Sequence, residues 1–286
     1  MQETVAVVIV TYNRLHLLKE TLAAVKSQKR SPNEIIVINN SSTDGTLDWL
    51  NLEQNITVIT QENLGGAGGF ARGFDYAVKK GYDWVWCMDD DVVPMGDCLE
   101  QLLNFDSDSH IRAPFRFEKG NSALPQDTLQ FNFSNPFKSL WKRMFTPKDI
   151  ETGLSIPAEG LTFEGPLIHR NVIKQIGLPD ASLFIFADDS DFFIRAFRKG
   201  FTSIIIFSAR MERKIHYSER KSAAWKQYYE LRNIIVLDMR FGNLAVKLIR
   251  PIYYCLKMLI SASNNAERQH ILKGFMHGIF QKTGKL

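Results

Sequence analysis

Cysteine is scarce in this chain. Cys87, Cys98 and Cys255 are its only three in 286 residues, too few and too scattered for a disulfide framework or a thiolate zinc site. They read as buried free thiols in a reducing compartment. Long hydrophobic runs are lacking as well: no uninterrupted stretch of ~20 apolar residues is present, which argues against a membrane-crossing helix. The first four residues carry no basic stretch leading into an apolar core, so no secretory leader is expected and the location expected is cytoplasmic. No internal repeat or low-complexity tract is evident. What is present, 45% hydrophobic and 23% charged residues, suits a globular chain with one large domain and a small appendage.

Charge is unevenly distributed. From residue 210 onward there are 15 Lys/Arg against 5 Asp/Glu, a net of +10. Residues 1–209 carry 20 against 26, a net of −6. A block of one sign suits an anionic partner, phosphates or a lipid surface; a solvated basic tail is the plainer reading. No nucleic-acid partner is expected.

Val5 to Val10 is a continuous β-branched run, as expected of a strand covered on both faces. Leu15 to Gln28 has apolar residues at 15, 18, 22 and 25 and predicts a helix. Glu34 to Ile38 predicts a second buried strand, followed by a polar turn over Asn39 to Gly45 and a helix at Leu47 to Leu50. Ile56 to Ile59 predicts a third strand, then a Gly-rich loop and a helix from Gly69 to Lys80. Trp84 to Met88 is a fourth strand, running straight into Asp89, Asp90 and Asp91. Strands and helices alternating at this spacing predict βαβ units and a parallel sheet. In such sheets ligands bind beyond the carboxyl ends of the strands. Asn13-Arg14, Asn39 to Asp44, Asn63 to Gly69 and Asp89 to Asp91 all lie just past strand ends, so four polar clusters converge on one edge. Residues 106–160 have no clear period and read as a loop-rich region on the acceptor side. Leu161 to Arg170 and Ser203 to Ser208 predict further strands, Asp189 to Lys199 a helix, and Trp225 to Met239 and Leu244 to Leu259 amphipathic helices.

Several clusters could carry chemistry. In a strand-end turn Asp89 and Asp91 point the same way while Asp90 points away. Two carboxylates so placed repel unless a cation lies between them. Hard oxygens of this kind suit Mg²⁺ or Mn²⁺ shared with a substrate's phosphates; a solvated acidic turn is the plain alternative. Gly66-Ala67-Gly68-Gly69-Phe70-Ala71 fits the dinucleotide fingerprint GxGxxA, but that fingerprint normally occupies the first strand-to-helix turn. What survives is general: glycines permit close backbone approach, and a helix N-terminus favours negative charge. Asp188, Asp189 and Asp191 precede the amphipathic segment Phe192 to Phe197. Asp191 reads as a helix cap. Phe184, Phe186 and Phe192 give the other two the partly apolar setting that a catalytic base needs. His216 taken alone reads sooner as structural than as a ligand. Tyr229, Arg232 and Asn233 share one face at helical spacing, which an ordinary packed helix explains equally well.

Together the pieces resemble the inverting glycosyltransferases of family 2, which adopt the GT-A fold. The carrying residues are Val8 to Arg14, Asn40 to Thr46, Asn63 to Gly69, Met88 to Val92 and Phe186 to Phe192; an ordered set is far more specific than any single motif. Within that family the chain is most similar to galactofuranosyltransferases and their rhamnosyltransferase relatives, through the triple aspartate, the aspartates before Phe192, His216 and Tyr228 to Asn233. The resemblance implies an α/β, Rossmann-like GT-A fold: a mostly parallel central sheet flanked by helices, with a C-terminal helical extension. It implies a catalytic domain over 1–220, with a nucleotide-binding half at about 1–105 and an acceptor half at about 106–220, and amphipathic helices over 221–286. It further implies that Thr11, Arg14, Asn39, Asp44, Asn63, Gly66 and Arg72 line the donor's nucleotide pocket together with Asp89 and Asp90. Asp89, Asp91 and His216 would hold Mn²⁺ or Mg²⁺. Asp189 would be the general base, with Asp188 the next candidate. Many relatives have Asp where this chain has Asn39, whose carbonyl oxygen would replace a carboxylate contact to uracil.

The activity so implied is transfer of galactofuranose from UDP-galactofuranose onto a glycan or lipid-linked glycan in cell-surface polysaccharide synthesis. A rhamnosyltransferase using dTDP-rhamnose is the alternative. A nucleotidyltransferase needs glycines after the first strand that Thr11 to Arg14 lacks; an oxidoreductase rests on Gly66 to Ala71 alone; a non-catalytic carbohydrate-binding scaffold leaves the aspartates without a purpose. Lys247, Arg250 and Lys257 interleave with apolar residues over Leu248 to Leu259, as in a basic helix lying in a membrane interface. Packing on the catalytic domain or in a homo-oligomer explains that pattern as well.

Overall fold

The computed structural model of the chain describes residues 3–118, 122–123, 127–215 and 223–286. Its elements are β1 (Val5–Thr11), α1 (Leu15–Lys26), β2 (Glu34–Asn39), α2 (Thr46–Leu50), β3 (Thr57–Thr60), α3 (Gly65–Lys80), β4 (Trp84–Asp89), β5 (Val92–Pro94), α4 (Cys98–Asn104), β6 (Ile111–Glu118), β7 (Ser122–Ala123), β8 (Thr128–Phe131), β9 (Trp141–Met144), β10 (Ser155–Ala158), β11 (Leu167–His169), α5 (Arg170–Ile176), α6 (Asp188–Arg198), β12 (Ser203–Arg213), α7 (Ala224–Phe241), α8 (Leu244–Ser261) and α9 (Asn265–Ile279).

The main sheet runs in the order β10-β12-β6-β11-β4-β1-β2-β3, with β5 added to β12 and β7 to β6. β1 pairs in parallel with both β2 and β4, and β2 with β3. The chain therefore leaves β1 in one direction for β2 and β3, then returns to the other side of β1 for β4. Such a reversal opens a crevice beyond the carboxyl ends of the two strands that flank it, here β1 and β4. β6 and β12 are mutually parallel, while β11 is antiparallel to both β4 and β6.

The apolar run of β1 has a simple cause: each face of the strand meets a different core. Val8 and Val10 pack with Phe70 and Phe74 of α3, while Val7 and Ile9 pack with Leu18 and Leu22 of α1. α3 lies unusually close. A Cβ at Gly69 would approach the Val10 side chain to 2.5 Å, and one at Gly73 the Val8 side chain to 2.2 Å. These glycines serve helix-to-strand packing. Moreover, the segment expected as a Gly-rich loop is already helix from Gly65 onward.

Residues 106–160 hold more order than expected. β6 lies in the middle of the sheet, although it contains Arg112, Pro114 and Arg116. Proline is tolerated there because the β6–β12 register breaks immediately after the Ile206↔Pro114 pair, as a bulge allows. The strand expected over Leu161 to Arg170 is confined to β11, and α4, α5 and α9 are further elements. All three cysteines are buried and free. Among the described residues no helix is long and apolar enough to cross a membrane.

Candidate active site

The crevice beyond β1 and β4 is lined with acid. Asp89 ends β4 half-buried, and Asp90 and Asp91 just beyond it are buried. Thr11, at the end of β1, donates its Oγ1 to Asp90 Oδ2 at 2.8 Å. The Arg14 guanidinium reaches Asp90 Oδ1 at 3.1 Å and Asp91 Oδ2 at 3.3 Å. Asp90 thus turns toward β1, while Asp91, shared with Arg14, also joins Asp89 in a second cluster. Asp89, Asp91 and Glu164 each present a carboxylate oxygen within 4.8 Å of the others. Burial, followed by the charges of Asp91 and Glu164, pushes the Asp89 carboxyl well above its ordinary range. Three carboxylates this close repel unless protons or a cation intervene. The set is all hard oxygen, which suits Mg²⁺ or Mn²⁺ and fits neither copper nor a thiolate-bound metal.

Glu164 was not legible as a site residue. It precedes β11, and because β11 runs antiparallel to β4 its start lies beside the end of β4. Gly165 makes the turn with φ +102°, a left-handed conformation that favours glycine. Its carbonyl accepts from Trp86 Nε1 at 2.8 Å, and its amide donates to the Cys87 carbonyl at 2.8 Å. Glu164 is also ion-paired with Arg116 and, at 3.0 Å, with Arg213; Arg116 pairs in turn with Asp127 at 2.8 Å. Buried charges persist only where they are paired in this way, and parallel β6 and β12 bring both arginines to the same sheet edge.

Asp188 and Asp189 open α6. The chain reaches them through Phe184, Phe186 and Ala187 at φ 66°, 64° and 60°, a conformation that bulky residues rarely adopt and that surrounding structure must enforce. α7 supplies the enforcement. Asn233 Nδ2 donates to the carbonyls of Leu183, Ile185 and Phe186 at 3.0, 2.7 and 2.7 Å, and Arg232 donates to that of Leu183 at 2.8 Å. Asp191 is an anchor as well as a helix-start residue: it is buried and bound by Arg195 and Arg240, each at 2.8 Å. Burial, then the charge of Asp189, raises the Asp188 carboxyl to about 8. Burial, with the charge of Glu164 adding to it, raises Asp189 to about 6. Asp189 is the more exposed of the two and answers electrically to Glu164.

The remaining described residues singled out from the sequence lie on β2, on α3 and in the loops before α2 and α3. Asn39 is buried at the end of β2, its Oδ1 accepting from the Ser42 amide at 3.0 Å. Asp44 accepts from the Leu15 amide at 3.0 Å and the Thr46 amide at 3.2 Å, tying its loop to the start of α1. Asn63 accepts from the Gly65 amide at 3.0 Å. Gly66 faces open space, and Arg72 is exposed on α3. His216 lies outside the described residues.

The glycosyl transferase family 2 model matches residues 6–155. Galactofuranosyltransferase GlfT1 of Mycolicibacterium smegmatis is 30% identical over 204 residues, covering 69% of this chain and 67% of that protein. GlfT1 of Mycobacterium tuberculosis is 29% identical over 222 residues, covering 70% and 66%. The chain thus spans about two thirds of the length of these relatives. Among solved structures, GalNAc-T7 with UDP, GalNAc and Mn²⁺ superposes with a TM-score of 0.68 at 16% identity, covering 98% of this chain and 56% of that one. The mannosyltransferase PcManGT of Pyrobaculum calidifontis, with GDP-Man and Mn²⁺, superposes with a TM-score of 0.60 at 14% identity, covering 99% and 88%. The mixed sheet, the crevice between β1 and β4 and these likenesses agree on a GT-A fold, and the chain belongs to glycosyltransferase family 2.

Proposed function

We propose that this glycosyltransferase moves a sugar, galactofuranose from UDP-galactofuranose, onto a glycan or lipid-linked glycan acceptor in cell-surface polysaccharide synthesis, inverting the anomeric centre in one step. The observation that carries the reading is the convergence of Asp89, Asp91 and Glu164 within 4.8 Å at the end of β4. The galactofuranosyltransferase likeness supports the sugar, and neighbours solved with UDP or UDP-GlcNAc support the nucleotide.

In this reading the nucleotide half is about 1–105 and the acceptor half about 106–220, with 221–286 as helical extension. Thr11, Arg14, Asn39, Asp44, Asn63, Gly66, Arg72 and Asp90 line or brace the nucleotide pocket. Asp89 and Asp91 would hold Mn²⁺ or Mg²⁺, with Glu164 and His216 as further ligands. What such a cation supplies when bound is neutralisation of the charge that develops on the departing diphosphate. Asp189 accepts the proton of an acceptor hydroxyl, whose oxygen bonds to the anomeric carbon as the bond to the diphosphate breaks. Half-buried and raised toward neutrality, it can both take a proton and lose it again.

The test measures nucleoside diphosphate release from UDP-galactofuranose, dTDP-rhamnose and other donors. Asp189→Asn is expected to lower turnover by at least ~10²-fold while still binding donor; near-normal turnover would move the base to Asp188. EDTA is expected to abolish transfer and added Mn²⁺ to restore it, whereas full activity in chelator would remove the cation from the account.

A further inference from the structure

α8 is turned inside out. Its buried side carries Val246, Arg250, Pro251 and Cys255, and Arg250 is fully enclosed in an ion pair with Asp238 and a 2.7 Å bond to the Asn132 carbonyl. Its solvent side is apolar. Leu244, Leu248, Ile252, Leu256 and Ile260, at successive i+4 steps, are 51% to 87% exposed, with Ile249 and Tyr253 exposed beside them. Residues four apart form one row along a helix, so the row runs the length of the 18-residue element. A contiguous apolar ridge of that size on a surface marks an interaction site.

The surrounding charge identifies the partner. Residues 244–286 contain Lys247, Arg250, Lys257, Arg268, Lys273, Lys282 and Lys285 against Glu267 alone. With Arg250 committed to Asp238 and Lys285 to the Asn63 carbonyl, five cations remain against one acid. A second copy docked ridge to ridge would bring two cationic segments together. A bilayer with anionic headgroups instead takes the apolar row into its acyl boundary and the lysines against its phosphates. The helix lies on such a surface and does not cross it, since no described helix is apolar and long enough to span.

We infer that the exposed row of α8, with the cations of residues 244–286, docks this protein on an anionic lipid surface. The inference is independent of the catalytic assignment. The experiment sediments the full chain with vesicles of phosphatidylcholine alone or mixed with phosphatidylglycerol, and follows nucleoside diphosphate release in vesicle-free solution in parallel. Wild type is expected to sediment with the mixed vesicles and to be released by salt. Leu248→Glu combined with Leu256→Glu is expected to lose at least ~10-fold in partitioning while melting and releasing nucleoside diphosphate like wild type. A quadruple variant, Lys247→Gln, Lys257→Gln, Lys273→Gln and Lys282→Gln, is expected to weaken anionic binding without changing either control. Wild type remaining in the supernatant, or a Leu248→Glu/Leu256→Glu variant that still sediments, overturns the inference. So does a concentration-dependent dimer in analytical ultracentrifugation that the same variant disperses, with no vesicle binding. An inactive donor assay with intact vesicle binding would count against the catalytic reading alone.

Discussion

At the scale of single residues, the two aspartates that open α6 divide their work by depth. Asp188 is the deeper, and burial with the charge of Asp189 holds its proton up to about pH 8. An unfolded chain releases that proton near pH 4. The native state therefore carries the extra proton between those limits, and stability declines as pH rises from about 4 to about 8. Asp188→Asn keeps the shape without the ionisation. Its melting temperature is expected to exceed that of wild type at pH 8 by a few degrees, with the gain vanishing toward pH 4; an equal shift at both pH values would place Asp188 outside the titration. Asp189, with a freer face, is the group that the proposed mechanism sets against a substrate hydroxyl.

At the scale of elements, α7 governs the approach to that carboxylate. The carbonyls of Leu183, Ile185 and Phe186 all end on Asn233, bracketing the segment in which Phe184, Phe186 and Ala187 are held at positive φ. Asn233→Ala leaves buried acceptors unmatched, a loss of about 1–3 kcal/mol. It is expected to lower kcat by at least ~10-fold with donor KM little changed and the pH profile of kcat displaced. A variant with fewer active molecules but an unaltered pH profile would indicate general destabilisation and no positioning role. The sequence marked Tyr229, Arg232 and Asn233 only as a helical face, because nothing local says which carbonyls a side chain will meet across 47–50 residues of chain. The first half of the sheet was legible because β1, β2 and β4 are apolar on both faces. β6 was hidden because its arginines are satisfied by partners the pattern does not reveal, Arg116 by the distant acids Glu164 and Asp127 and Arg112 by the carbonyls of Leu102, Leu103, Ser107 and Ser109, so its pattern is that of neither a strand nor a loop. Glu164 was hidden for the complementary reason: it sits in a bend inside an otherwise apolar stretch, and only the antiparallel return of β11 brings it to the aspartates.

At the scale of the whole molecule, the helices after residue 223 are part of the machine that presents Asp189. Arg232 bonds the Gly284 carbonyl at 2.5 Å near the chain end, and Leu231 and Ile235 of α7 share a core with Cys255 of α8 and Ile271 of α9. A chain ending at residue 240 is therefore expected to lose donor turnover together with vesicle binding. If it retained turnover, α7 would not need α8 and α9 to hold its place. Point substitutions on the exposed row, which leave that core intact, separate the two properties where truncation does not. One last consequence follows from the guanidinium groups of Arg14, Arg116 and Arg213, which pair with Asp90, Asp91, Asp127 and Glu164 and offset most of their charge. If the proposed cation is bound there, its socket does not depend on it for assembly: chelation is then expected to leave the enzyme idle but whole, with an unchanged melting temperature, and added manganese to restart it without refolding.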